Sequence, residues 1–343
     1  MIKGETMEHQ IGLRFEDGAT RFIQVRSGET LADASIRQGV RFPVDCREGA
    51  CGTCRCQVES GSYDPGDCAE DALSAEDARL GWALGCQMRP RSSGVVHVPI
   101  DASACLHKPL EQAVQIGALR RLGPRMVSLT LEHPDLMALR FLPGQYLRLW
   151  LPDGSASRAY SFSSLVRAPG QVDLLVRLLP DGRMSQWLND TAQVGDTLKL
   201  TAPYGGFYLR PAQRPLLMLA GGTGLGPMLA MLELLAQAPD QAPPCHLVLG
   251  LADDQDLPVL DLLSPLKERL PQLTLTVCVS DPQSTQGLRG HLVTHLQPAM
   301  LNQGDVDLYV CGPPPMVQAL NDWLAAAPCQ PAGFHIERFT PGA

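Results

Sequence analysis

Cys46, Cys51 and Cys54 stand in the run DCREGACGTCR, a C-x4-C-x2-C spacing, and Cys86 follows 32 residues after Cys54 in LGCQMRP. This run constrains the fold more than any other feature, because it commits one short segment to holding metal. Three close cysteines and one distant one are the spacing of a plant-type 2Fe-2S cluster, whose irons take soft thiolate ligands. Gly49, Ala50, Gly52 and Thr53 keep side chains short around the ligands, so backbone N–H groups can approach the bridging sulfides and stabilise the reduced, more negative cluster. A structural zinc site is the other use of such cysteines, but it comes as two separated close pairs, absent here. Cys56, two residues past a ligand, reads as a small buried residue, and Cys68 is likewise set apart from the ligands. Cys105, Cys245, Cys278 and Cys329 read as structural. Eleven cysteines in a secreted chain would suggest disulfides with one thiol left over. Their uneven spacing favours ligation in a reducing compartment.

The 343 residues exceed one ordinary domain, and about 150 residues per domain predicts two or three. The expected architecture is α+β and multi-domain. Residues 8–105 read as a β-grasp 2Fe-2S ferredoxin domain: IGLRFEDGATRFIQV alternates apolar and polar positions around an Asp17-Gly18 turn. Thr30 with Asp33 then caps a short helix that Gly39 ends, before the cysteine loop. From Cys105 to about Gly117 the pattern weakens at Lys108-Pro109, a boundary. Residues 112–210 read as an antiparallel β-barrel, with strands QYLRLWL, SRAYSFSS and QVDLLVRLL from Ala118 onward, of a kind that suits FAD. After RPAQRP, residues 215–343 alternate strand and helix as an α/β parallel-sheet NAD domain: PLLMLA, the turn GGTGLGP, a helix, then HLVLGL, LTLTVCVS, DLYVCG, a helix at DWLAAA and GFHIERF.

A net charge of −8, from 28 basic and 36 acidic residues, argues against a nucleic-acid partner, which needs a basic footprint. No apolar run approaches the roughly 18 to 20 residues of a membrane span, and the opening MIKGETMEHQ lacks the apolar core of a secretory signal. A cytoplasmic location is expected, with no membrane contact. The segment from Glu59 to Asp77 holds seven acidic residues and no lysine or arginine, which suits either a solvated face or a patch that steers a protein partner.

DCREGACGTCR, RAYSFSS, GGTGLGP and CGPPPMV, in this order, resemble the NADH-dependent reductase component of benzoate, toluate or anthranilate dioxygenase systems over essentially the whole chain. The resemblance implies that, in the Arg158-Ala159-Tyr160-Ser161 run, Arg158 contacts the FAD pyrophosphate, Tyr160 stacks on the isoalloxazine and Ser161 bonds near its N5. Guanidinium–phosphate pairing and ring stacking agree with those roles. A second phosphate contact is implied at a helix N-terminus in DGRMSQWL, from Gly182, Arg183, Met184 and Ser185; Ser185 also reads as a helix cap. Gly222-Thr223-Gly224 joins a buried strand to a helix, with Pro227 suited to the first helical position. By resemblance Thr223 faces nicotinamide and flavin, Cys311 with Gly312 helps place the nicotinamide, and Glu337 and Phe339 close the other side of the flavin. Cys311 reads alternatively as a buried strand-end thiol.

The implied cofactors are a 2Fe-2S cluster, FAD and NADH, and the implied partner is a terminal oxygenase component. FAD bridges a two-electron donor and a one-electron cluster. The reductase of a di-iron phenol- or methane-type monooxygenase shares this architecture, and a redox relay or sensor without turnover is a rival of another class. Asp253, Asp254 and Asp256, after the second strand of the last domain, predict NADH over NADPH, because acidic residues there bond a ribose 2'-hydroxyl and repel a 2'-phosphate. The same residues also suit an acidic solvated loop.

Overall fold

The computed structural model describes residues 8–105 and 109–339. The first seven residues, residues 106–108 and the four residues after Phe339 lie outside the described residues. The chain forms two compact units, one mainly of residues up to Pro109 and the other mainly of 110–339.

In the first unit, β1 (Glu8–Phe15) and β2 (Thr20–Arg26) form the expected hairpin, with Gly18 at φ 81° in its turn. The Thr30 side chain accepts from Asp33 N–H at the start of α1 (Leu31–Arg37). The cysteine loop follows, then β3 (Arg55–Ser60), β4 (Tyr63–Asp64), α2 (Ala75–Arg79), β5 (Trp82–Leu84), β6 (Arg89–Pro90) and β7 (Gly94–Val98). The main sheet runs β2-β1-β7-β3-β5, with β1 and β7 parallel and the other pairs antiparallel. This mixed sheet over one helix is the β-grasp arrangement.

The second unit opens with β8 (Leu110–Arg121) directly after the division at Pro109, so strand begins eight residues before the Ala118 expected from the sequence. The misreading has a physical cause. A bulge between Ile116 and Ala118 shifts the register, so the two-residue alternation breaks at Gly117. A Cβ on Gly117 would lie 2.5 Å from a Glu132 carboxylate oxygen, so that side chain would have to shift to admit one. β9 (Met126–Glu132), β10 (Tyr146–Trp150), β11 (Ser157–Ser161), β12 (Gln171–Arg177), α3 (Arg183–Asp190) and β13 (Thr197–Tyr204) follow. The strands run β11-β10-β13-β8-β9-β12, and a bridge between Phe162 and Leu174 joins the two ends into a closed barrel.

The remaining elements are β14 (Leu216–Gly221), α4 (Leu225–Leu235), β15 (Cys245–Leu251), α5 (Ser264–Arg269), β16 (Leu273–Val279), β17 (Leu288–Arg289), β18 (Asp307–Gly312), α6 (Pro314–Ala326) and β19 (Gly333–Arg338). They build a parallel sheet ordered β17-β16-β15-β14-β18-β19. Pro227 falls at the third position of α4 and not the first, still within the turn where a missing N–H costs nothing.

The sequence predicts separate barrel and nucleotide domains, yet both belong to one compact unit. Leu122, Met126 and Leu175 from the barrel enter the same core as Met228, Leu249 and Val259 from the parallel sheet and its helices. Truncating a fully buried methionine such as Met126 to alanine costs about 2–5 kcal/mol, enough to loosen both halves together.

Candidate functional site

The cysteine loop is shaped by backbone that few side chains tolerate. Arg47, Gly49 and Gly52 have φ of 62°, 73° and 75°, and a Cβ on Gly49 would meet the Asp67 carbonyl at 2.4 Å. The turns bring the four predicted ligands together as two pairs. Cys54 and Cys86 have their sulfurs 3.2 Å apart, and the Cys46 and Cys51 side chains interact with each other. Among the described residues no three metal-binding side chains converge on a single point, as one zinc ion would need. Two thiol pairs fit a two-iron core, each pair to one iron.

The loop also supplies donors. Glu48 N–H points at the Cys46 sulfur from 3.5 Å. Burial pushes the Cys46 thiol up, but the Glu48 N–H, the Cys51 side chain and the N–H groups of Ala50 and Cys51 outweigh it and hold the thiol below its ordinary value. Cys86 is brought down to about 6, first by hydrogen bonding from Cys54 and then, against burial, by Gly49 N–H and the Gln87 amide. Cys54 is correspondingly raised, by Cys86 and by burial. Such donors stabilise anionic sulfur, the state in which cysteine binds iron. Cys56 is buried on β3, faces the Ala83 carbonyl at 3.7 Å and is pushed up to about 12 by burial.

Three of the seven carboxylates between Glu59 and Asp77 are paired with arginines outside that segment: Glu59 with Arg14, Asp64 with Arg91 at 2.7 Å and Asp77 with Arg55 at 3.1 Å. The face is less negative than its sequence.

In the second unit, β11 carries the RAYS run. Arg158 and Tyr160 lie opposite Leu149 and Leu147 of β10. Arg158 makes no ion pair among the described residues; its guanidinium donates to the Ser157 carbonyl at 2.7 Å. Tyr160 packs against the barrel core, where burial raises its phenol above the ordinary value despite Arg158. At α3, Gly182 is the N-cap and no side chain caps the helix, which leaves its first N–H groups for an anion. Met184 is buried in the barrel core, so only its backbone can serve that anion. Ser185 is not the cap: its hydroxyl accepts from Leu179 N–H at 2.8 Å and braces the loop before the helix.

The nucleotide turn sits where an open parallel sheet binds ligands, at the carboxyl ends of strands where their order reverses. β14 lies between β15 and β18, and the turn after it is Gly222–Gly224. A Cβ on Gly224 would fall 2.1 Å from the Cys311 carbonyl, so the turn rests directly on the end of β18. Thr223 and Cys311 are buried there, and burial followed by the Glu337 charge holds the Cys311 thiol well above its ordinary value, neutral and compact. Glu337 is opposite Cys311 on β19, and Ser161 donates to its carboxylate at 3.5 Å. Phe339 N–H donates to the Gly312 carbonyl at 3.2 Å. Ser161, Thr223, Cys311 and Glu337, from four distant segments, thus meet along one edge.

Two residues went unnoticed in the sequence. Arg177, at the end of β12, is exposed, makes no ion pair among the described residues and has a guanidinium nitrogen 3.4 Å from where a Gly222 Cβ would be. An arginine ending a strand just before the loop that leads to α3 was the available signal. Arg125, between β8 and β9, pairs with Asp253 at 2.7 Å and Asp256 at 2.8 Å. Asp253 also caps a turn by accepting from Gln255 N–H, whereas Asp254 is exposed and accepts from the Ser284 hydroxyl.

Residues 14–91 match the family described as 2Fe-2S iron-sulfur cluster binding domain, residues 123–208 the oxidoreductase FAD-binding domain and residues 218–322 the oxidoreductase NAD-binding domain. The molecule is an oxidoreductase of the class that combines NAD, FAD and 2Fe-2S modules in one chain. The toluate 1,2-dioxygenase electron transfer component of Pseudomonas putida is 44% identical over 98% of this chain and 100% of its own length. The anthranilate 1,2-dioxygenase electron transfer component of Acinetobacter baylyi is 38% identical over 97% of this chain and 98% of its own. Among solved structures, Amycolatopsis cytochrome P450 reductase GcoB is 30% identical, with a TM-score of 0.71 over 97% of this chain and 100% of that one. The chain belongs to the family of 1,2-dioxygenase electron transfer components.

Proposed function

We propose that this chain moves electrons from NADH to the terminal oxygenase of an aromatic ring-hydroxylating dioxygenase of benzoate or anthranilate type, and that it works in the cytoplasm. One observation carries the reading: flavin-side Ser161 and nicotinamide-side Thr223, Cys311 and Glu337 meet on one edge, in a chain similar end to end to dioxygenase electron transfer components. When bound, FAD supplies the conversion of a two-electron donor to one-electron steps, and the 2Fe-2S cluster supplies single-electron transfer.

The residues supply placement. Arg158 and the N-terminus of α3 hold the FAD pyrophosphate, and Tyr160 covers the ring. Ser161 offers its hydroxyl at the reacting edge, and its bond to Glu337 fixes that hydroxyl's direction. Buried Thr223 and neutral Cys311 give a dry surface for the nicotinamide ring, with Glu337 and Phe339 closing the far side. Arg177 reaches the nucleotide phosphates beside the Gly222 turn. Cys46, Cys51, Cys54 and Cys86 hold the two irons. Among the described residues no helix is long and apolar enough to cross a membrane, which suits a protein partner met in solution.

The loop after β15 receives the adenosine ribose and favours NADH. Purified chain, NADH and candidate oxygenases with aromatic acids test the reading: hydroxylated product with a benzoate-type oxygenase is expected. Coupling only to a di-iron hydroxylase would refute it, and so would a single reduction of cytochrome c without turnover.

A further inference from the structure

The three aspartates after β15 have different neighbours. Asp256 is only 1% exposed, and its two oxygens accept from one side chain: Arg125 Nε at 3.3 Å and a terminal Arg125 nitrogen at 2.8 Å. Ala252 N–H adds a longer contact of 3.4 Å. The same terminal nitrogen reaches Asp253 at 2.7 Å, while the other Asp253 oxygen accepts from Gln255 N–H at 2.9 Å. Asp254 is exposed and meets the Ser284 hydroxyl through one oxygen.

Arg125 belongs to the barrel. Its carbonyl accepts from Leu178 N–H at 2.8 Å, directly after Arg177 and before the loop that leads to α3. Two residues earlier, Gly123 has φ 105°, and a Cβ there would come 2.2 Å from the Gln255 carbonyl, so the aspartate loop lies backbone-on-backbone against the barrel turn. One arginine therefore ties the flavin side of the molecule to the loop after β15.

We propose that Arg125 is a specificity-determining positioning residue for the nicotinamide nucleotide: it fixes Asp253 and Asp256 and offsets part of their charge, and so leaves Asp254 as the carboxylate presented to the adenosine ribose. This rests on the reading that the loop receives that ribose. A planar guanidinium can bond two carboxylates at once, and an ammonium cannot reproduce that fork. Without Arg125, Asp256 is a buried charge with no cation, and the loop lifts from the barrel to hydrate it. A loosened loop must then be ordered by the nucleotide, which weakens binding and leaves the chemistry of the bound complex alone.

The test uses the holoprotein, with ADP-ribose and its 2'-phosphorylated form as calorimetric probes, alongside steady-state ferricyanide reduction. In Arg125→Gln the Kd for ADP-ribose is expected to rise about tenfold, with KM for NADH following, and with kcat and the flavin and cluster absorbance unchanged. Adding Asp256→Asn should restore most of the affinity, because the unpaired charge is then gone; a purely steric role would not be rescued. Asp254→Asn should weaken ADP-ribose and narrow its advantage over the 2'-phosphorylated form. Wild-type affinity in Arg125→Gln, with Asp254→Asn weakened, overturns the Arg125 proposal and leaves the ribose reading standing. Wild-type affinity in both overturns the ribose reading itself. If Arg125→Gln gives no folded protein, Arg125→Lys carries the test, and wild-type affinity there overturns the proposal.

Discussion

The cysteine loop and the proposed nicotinamide crevice are assembled over different lengths of chain. Three of the four thiols lie between Cys46 and Cys54, and the N–H groups that stabilise them come largely from the same loop. The crevice takes Ser161 from the barrel and Glu337 from the last strand, 176 residues apart, with Thr223 and Cys311 from between. A site made from one loop can fail alone. A site made from four segments fails with the packing that gathers them, here a core shared by barrel and parallel sheet.

The largest expected effect breaks one side of this comparison cleanly. Cys86→Ala should abolish the cluster, seen as loss of iron and visible absorbance, and abolish electron delivery to the oxygenase, while NADH still reduces ferricyanide through FAD. Parallel loss of the ferricyanide activity with FAD retained would show that the sites are not separable. Cys56→Ala, in the same unit, should leave the iron content unchanged.

Gly224→Ala tests the other side. The added methyl would sit 2.1 Å from the Cys311 carbonyl, so β18 or the turn must move. A tenfold or greater fall in kcat/KM for NADH is expected, with a stability loss of about 1–3 kcal/mol. Native values for both would mean that the two strand ends are less tightly joined than the geometry indicates.

Arg177→Ala should act more narrowly, raising KM for NADH about tenfold with a small change in kcat, since it removes a charge-assisted contact worth roughly 1.5–3 kcal/mol and no packing. An unchanged KM would remove Arg177 from the nucleotide site.

The last effect concerns pH. His335, on β19, packs its ring at a tilt against Tyr309 with centroids 4.7 Å apart, and burial together with the Arg210 charge lowers it to about 3. Below its ordinary value of 6.5 the unfolded chain binds a proton that the folded chain refuses. This contribution to stability is therefore complete above pH 6.5 and declines as pH falls toward 3, by up to about 1.4 kcal/mol per pH unit. His335→Gln should flatten the fall in urea midpoint between pH 6.5 and 5, followed by flavin release. An unaltered slope would exclude His335 as an acid-sensitive group near the crevice.

Residue order alone was enough for whatever is local. The ligand spacing, the Asp17-Gly18 hairpin, the Thr30 cap and the glycine turn after β14 each depend on a few consecutive residues, and side-chain period gave most strands of the barrel and the parallel sheet. Tertiary structure decided what depends on distance. The bulge at Gly117 hid β8, because one extra residue cancels the alternation by which a strand is recognised. The acidic run from Glu59 to Asp77 contains no cation, yet Arg14 and Arg91 reach it from 45 and 27 residues away. Arg125 meets Asp256 across 131 residues, which turned two of three candidate ribose contacts into a clamp. Charge acts through space, and a chain shows only which charges are close along its length.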